Sequence, residues 1–311
     1  MPRFQVQRSL WINASPDIIY ENIVDYRTWT TWSPWLPAQP DAEVTVSENS
    51  SSLGSKYSWK GEVVGEGEIE HRNLQPPELI EDEIRFRKPF PSTSQVTFEL
   101  KPERKGTLVT WGMIGALPWF LFWMKSMMQD FISMDYDRGL KMLKEWIETG
   151  EVLSKTNVMG VQKVGPLRMA GVRKVSTLDD ISQSMQSAFQ EVEEKFSQHN
   201  IPRDGDGISV YHSFNCKTRT FDYTAGFIIE DSSIDIPLSL KTWAIPEMNA
   251  FRVDHIGSYQ HLGNAWSAAH QNARYRKLKQ SKVGTYELYK NNTHEKEPKD
   301  LVTEIYLPLK K

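Results

Sequence analysis

The chain has 311 residues, a quarter of them charged, with a formal net charge of −3. That length suits two domains of common size, and the near-neutral charge counts against a nucleic-acid binder, which carries a basic excess on one face. One cysteine, Cys216, excludes an internal disulfide and fits a reducing compartment, so a cytoplasmic location is expected.

The first segment, "RFQVQRSLWI", alternates with Phe4, Val6 and Leu10 on one face and reads as a strand. It lacks the apolar block of a signal peptide. "NASPDIIYENIVDY" reads as a helix start, with Ser15 as cap, Pro16 in the first helical position and Asp17 at the positive end of the dipole. Five strand-like segments follow: Ser55–Gly61, Gly65–Asn73, Leu79–Arg87, Ser94–Lys101 and Thr107–Ile114. His71 falls on one of them among alternating charges and is expected in solvent. "ERKG" marks a hairpin turn. From Pro118 to about Thr149 the spacing becomes helical, with Phe120, Met124, Met127, Phe131 and Met134 forming one stripe.

That helix begins in the greasiest stretch, "GALPWFLFWMKSMMQDF". Its apolar run from Met113 to Met124 is 12 residues long and holds Pro118, whereas a spanning helix needs about 20. No basic face accompanies it, so no transmembrane segment is expected. An order of strand, helix, strand meander and long helix predicts a curved antiparallel sheet around that helix. "DYRTWTTWSPW", "KGTLVTWGMIG" and "DYDRGLKMLKEWIE" resemble segments of the polyketide cyclase/START-like (SRPBCC) superfamily over residues 3–150. The resemblance implies a helix-grip fold that holds an apolar ligand between sheet and helix. Trp32, Trp35, Trp59, Phe86, Phe98, Trp111, Phe120, Met124, Met127 and Phe131 are the expected cavity residues, with filled core as the competing reading of each.

Turn formers near Gly150–Gly160 end the helical pattern. The expected division is residues 1–150, a linker at 151–157 and a second domain at 158–311. The second half repeats itself. "RMAGVRKVSTLDDISQSMQSAFQEVEEKFSQHN" and "NAFRVDHIGSYQHLGNAWSAAHQNARYRKLKQ" are each a strand and an amphipathic helix. Two strands follow each, "GISVYHS" with "TFDYTAGFII" and "GTYELYK" with "LVTEIYLPL". Two βαββ units side by side predict an α+β domain of pseudo-two-fold symmetry, with a groove between the units as ligand site.

"GPLRMAGVRK", "FDYTAGF", "VDHIGSYQHLGNAW", "TYELYKN" and "VTEIYLPL" resemble the DNA gyrase inhibitor (GyrI)-like effector-binding domain over residues 158–310. That resemblance implies a binder of small, often cationic or aromatic compounds. Its members serve as sensors in transcription factors, as stand-alone binders or, in one branch, as hydrolases of cyclopropane-bearing genotoxins. The family's central acid falls on Glu304 and its aromatic near the second helix on Tyr259. From alternation alone, Val302, Glu304 and Tyr306 share one strand face, the groove side if Ile305 and Leu307 cover the helices. Trp266 lies two helical turns after Tyr259 and can point the same way. Tyr211 and Trp243 complete the candidate set, while Met185, Phe189 and Phe196 form a stripe read as core.

His255, His261 and His270 have a spacing poor for shared ligation, so neither metal nor other cofactor is expected. No recognition helix or basic patch appears, so direct nucleic-acid contact is not expected either. The reading is a small-molecule binding protein acting in sequestration or sensing. The alternatives are a hydrolase using Glu304 and a regulatory partner of a transcription factor.

Overall fold

The computed structural model describes residues 3–116, 119–215, 218–291 and 296–310, with the backbone path only for 119–121. The chain separates into two compact units between Leu153 and Ser154.

In the first unit seven strands form one antiparallel sheet in the order β1-β7-β6-β5-β4-β3-β2. They are β1 (Arg3–Ile12), β2 (Glu43–Val46), β3 (Lys56–Gly61), β4 (Gly65–Gln75), β5 (Leu79–Lys88), β6 (Ser92–Glu103) and β7 (Gly106–Ala116). Two short helices, α1 (Pro16–Val24) and α2 (Trp29–Trp32), lie between β1 and β2 in the chain. Pro16 opens α1 because its missing N–H is one the first turn cannot use anyway. The long helix α3 (Lys125–Thr149) follows a 3-10 segment, Trp119–Met124, and packs against β1. It stops at Gly150, whose φ of 83° is left-handed and whose N–H caps the Trp146 carbonyl.

The buried face of α3 is carried by Ser133, Tyr136, Gly139, Leu140, Met142 and Leu143, with Met128, Ile132 and Ile147 packed beside them. This corrects the expected stripe. Met127 is 41% and Phe131 57% exposed, and Met124 and Met134 are half-buried. The segment holds two apolar stripes one residue apart, Met127/Phe131 and Met128/Ile132, and spacing alone does not choose between them. The choice is made further along, where Gly139 lets the helix close on the sheet: a Cβ there would sit 2.6 Å from the Trp111 ring. Phe120 has its side chain outside the described residues.

His71 is a second correction, for it is buried. One ring nitrogen meets Asp82 Oδ1 at 2.6 Å, and Nε2 donates to the Val24 carbonyl at 2.9 Å. Tyr26 stacks on the ring at 4.0 Å. His71 shares the core face with Ile69 by plain alternation, and its cross-strand partner Asp82 lies on the same face as Ile80 and Ile84. Glu70, on the opposite face, is buried under Arg72 and Arg85, with which it forms ion pairs. Burial raises the Asp82 pKa against the opposing bond from His71.

The second unit is an eight-stranded antiparallel sheet in the order β12-β9-β11-β10-β14-β15-β13-β8. Its strands are β8 (Ser154–Val164), β9 (Leu167–Thr177), β10 (Gly207–Asn215), β11 (Thr220–Ile228), β12 (Lys241–Ile245), β13 (Met248–Gly257), β14 (Thr285–Tyr289) and β15 (Val302–Pro308). Helix α4 (Ile181–Gln198) follows β9 and α5 (Leu262–Tyr275) follows β13. The expected duplication is present, β9-α4-β10-β11 and β13-α5-β14-β15. Two strands were not anticipated. β8 precedes the first repeat but pairs with β13 of the second, and β12 precedes the second but pairs with β9 of the first. The outer strand of each repeat is thus paired with a strand that precedes the other repeat, and β8 and β12 form the edges of the sheet. Residues 154–157, expected in a linker, belong to β8.

Candidate functional site

The cross-strand register decides which side chains meet. Ser209 of β10 pairs with Glu287 of β14, and Glu287 pairs with Ile305 of β15, so these three share a face. Glu304 pairs with Leu288 and Asp254 on the opposite face. Both helices lie on the Glu287 side. Trp266 of α5 bonds to the Glu287 carboxylate, and Phe189 of α4 meets the Tyr289 ring at 5.6 Å.

Glu287 is the acid on the helix-covered face, at the junction of the two repeats. It is 1% exposed. Oε1 accepts from Trp266 Nε1 at 2.5 Å, and Oε2 accepts from the hydroxyls of Tyr289 at 2.5 Å and Tyr211 at 3.1 Å. The rings enclose it: Trp266 stands edge-on to Tyr211 at 5.4 Å and Tyr259 edge-on to Tyr289 at 5.8 Å. His270 stacks on Trp266 at 5.7 Å. Burial raises the carboxyl's pKa, and the three donors offset only part of that. Tyr259 is 38% exposed, whereas Tyr211, Trp266 and Tyr289 are half-buried. Its neighbour Ser258 turns the chain into α5 by accepting from Gln260 N–H.

Of the six candidate residues, Tyr211, Trp266 and Tyr259 gather around Glu287 on the helix-covered face. Glu304, Tyr306 and Trp243 are on the other face, which corrects their placement. The helices cover the face that carries Glu287. Ile305 and Leu307 do turn toward the helices, and so Glu304 turns away. There Glu304 Oε1 accepts from Arg252 at 2.6 Å and Oε2 from the Tyr306 hydroxyl at 2.8 Å. Arg252 also forks onto Asp254. Both oxygens of Glu304 thus hold a hydrogen bond within the protein, with Arg252 as the counter-charge. Tyr306 stacks on Tyr286 at 4.8 Å, and Trp243 leans on Tyr286 and donates to the Val283 carbonyl.

Arg252→Met leaves Asp254 and Glu304, each mostly buried, without a counter-charge. The expected cost is about 3 kcal/mol of stability in the second unit, read by urea unfolding. Adding Asp254→Asn should recover part of it.

The sequence does carry a trace of Glu287. "ISVYHS" and "TYELYK" hold equivalent places in the two repeats, and each reads polar, apolar, tyrosine: Ser209-Val210-Tyr211 and Glu287-Leu288-Tyr289. The pair Ser209↔Glu287 lies at the junction of the repeats, so both tyrosines reach the one carboxylate.

His255 is buried on this same face, and desolvation holds its pKa down to about 4 despite backbone contacts that raise it. The unfolded chain protonates near 6.5, so stability is full above that pH and falls as pH drops toward 4. The loss approaches about 3 kcal/mol. Chemical unfolding between pH 7 and 4 should show the second unit weakening and His255→Phe flattening the dependence. His255, His261 and His270 form no metal cluster, and none is present among the described residues.

In the first unit Trp32, Phe98 and Trp111 are fully buried in ring contact, Trp111 stacking on Phe98 at 4.9 Å and on Tyr136 at 4.0 Å. Trp35 donates to Asp135, and Trp59 meets Phe86 edge-on at 5.8 Å; all three of these rings are partly buried.

A sheet gripped by one long helix, followed by a duplicated unit around a buried carboxyl, defines a two-domain small-molecule-binding protein. Residues 3–148 match the family described as polyketide cyclase / dehydrase and lipid transport, and residues 156–310 match the GyrI-like small molecule binding domain. The chain therefore joins a cyclase/START-like domain to a GyrI-like domain. Among solved structures it is similar to a protein of Chromobacterium violaceum at 18% identity, over 46% of this chain and 96% of that one, with a TM-score of 0.37. It is similar to Aha1 of Colwellia psychrerythraea at 15% identity, over 47% and 97%, with a TM-score of 0.36. EcmrR in complex with DNA matches at 15% identity, over 60% and 68%, with a TM-score of 0.41. No curated protein matches the chain. Among the described residues no helix is long and apolar enough to cross a membrane.

Proposed function

We propose that the second unit binds a flat organic cation, its charge on Glu287 and its rings against Tyr259, Trp266 and Tyr211. The observation that carries this reading is a fully buried carboxyl, met by three donors and enclosed by aromatic rings, at the junction of two repeats. An ionised carboxylate at such a site is costly until a positive charge joins it. Aromatic faces add cation–π attraction to that pairing. Because the acid is sealed in the free protein, entry requires the outermost ring, Tyr259, to swing aside. The first unit is the place for a second, apolar ligand between sheet and α3, with Trp35, Trp59 and Phe86 at its accessible end. The protein then acts in sequestration or sensing in the cytoplasm, as a binder without turnover.

Titration with ethidium, a flat aromatic cation, followed by its fluorescence polarisation, tests the reading. Saturable binding that weakens in Glu287→Gln supports it. Equal binding by wild type and Glu287→Gln overturns it.

A further inference from the structure

On the helix-facing side of the sheet, one row of side chains runs across four adjacent strands. It starts at Thr156 on β8, the edge strand, and continues through His255 on β13 and Thr303 on β15 to Tyr289 on β14. Cross-strand neighbours stand about 5 Å apart at Cβ. All but Tyr289 are buried polar residues, an unusual filling for the space under a helix. Helix α5 packs over β8, β13 and β15 and turns small side chains inward, Ala265, Ala268, Ala269 and Ala273.

Three polar atoms in this row, Thr156 Oγ1, His255 Nδ1 and Thr303 Oγ1, are buried without a hydrogen-bond partner among the described residues. Buried polar atoms are as a rule satisfied by protein or by ordered water. Three orphans in adjacent positions of one row call for a shared set of water molecules, which needs two to four polar partners each. His255 suits that use. Its Nε2 donates to the Ser258 carbonyl at 2.9 Å, so Nδ1 presents a lone pair and the ring is neutral. The other titratable group acting on it is His261, also buried. A neutral acceptor orients water without trapping a proton.

We propose that Thr156, His255 and Thr303 line a buried file of water running under α5 from the β8 edge to Tyr289, and that protons reach and leave the Glu287 carboxyl along it. The Tyr289 hydroxyl closes the path, being 2.5 Å from Glu287 Oε2 and 3.0 Å from Ser209 Oγ. With Glu287 protonated, the Tyr289 hydroxyl turns its hydrogen from the carboxyl toward the water file; in the outward direction the Glu287 O–H bond breaks and its proton passes to the Tyr289 oxygen. Tyr289 releases its own hydroxyl proton to the water file, and a proton emerges in bulk water at the β8 edge. No electrons are transferred. Resting on the cation-binding reading, the file answers a need of that site: a cation seated against Glu287 blocks the direct way out for the proton it displaces.

Infrared spectroscopy tests this on the full-length protein without a ligand. The C=O stretch of a protonated buried carboxyl, identified by its loss in Glu287→Gln, shifts on deuteration. Its rate of shift after rapid dilution into D2O reports proton access. Thr303→Val keeps shape and removes a hydroxyl from the middle of the file; Thr156→Val does so at the edge. Either variant, with native circular dichroism, is expected to slow the shift by about tenfold or more, a barrier increase of about 1.4 kcal/mol. Unchanged rates in the folded variants overturn the proposal, as does the absence near neutral pH of a carboxyl band removed by Glu287→Gln. The readout is independent of ethidium binding, so failure of the file and failure of the cation site are distinguishable.

Discussion

Glu287→Gln is expected to lower the affinity for ethidium by about a hundredfold, while Glu304→Gln changes it by no more than about twofold. The first figure follows from removing one member of a desolvated charge pair, which costs about 2–5 kcal/mol in comparable interfaces. The second follows from position: Glu304 lies on the opposite face of the sheet, with Arg252 and Tyr306 holding its oxygens, and separated sites act independently. The pH dependence has a definite sign. Burial lifts the Glu287 pKa above the usual glutamate range, and the protonated form carries no charge for a cation to meet. Affinity should therefore climb as pH rises through that raised value and stay flat in Glu287→Gln. Equal losses in the two variants would place the cation elsewhere.

Trp111→Ala is expected to cost about 3–5 kcal/mol in the first unit, the range for removing a large aromatic from a packed core. Trp111 lies between Phe98 and Tyr136 and meets the edges of Trp32 and Trp35, so neighbours on every side are held in place by one another. Its indole N–H has no hydrogen-bond partner among the described residues, which makes the loss one of packing. Phe131→Ala, by contrast, should stay within about 0.5 kcal/mol, because the side chain faces solvent. Urea unfolding of both variants, followed by near-ultraviolet circular dichroism, checks the pair. A Phe131→Ala cost like that of Trp111→Ala would mean that α3 presents its other stripe to the sheet.

The two units differ in what their sequences disclose. The meander of the first was readable because "ERKG" and the polar turn clusters separate runs of strict alternation, and the long helix because its period changes after Pro118. The repeat of the second was readable because both copies keep the order strand, helix, strand, strand. β2 is four residues long and β12 five, too short for alternation to stand out. β8 was hidden for a different reason: its neighbour in space, β13, lies some ninety residues along the chain.

The misplacements share one cause. Alternation says that two residues lie on opposite faces of a strand, and it cannot say which face is covered. Glu304 and Glu287 sit in equally plausible strands, "VTEIYLPL" and "TYELYK". Only the register Ser209↔Glu287↔Ile305, with both helices on that side, puts one acid under Trp266 and the other under Arg252. His71 was misread in the same way, for alternation places it with Ile69 and only the covered face of β4 shows it to be buried; Phe131 was misread through a rotation of one position around α3.

By itself, then, the sequence determined the division into two units, the α+β class of each, the duplication in the second and the aromatic character of both interiors. These follow from local periodicity and composition, which every short window of the chain contains. The identity of the buried acid, the inward face of α3 and the polar row under α5 were decided only by tertiary structure. Each depends on which distant strand or helix arrives on which side, and pairing between segments up to a hundred residues apart leaves no periodic trace in either one.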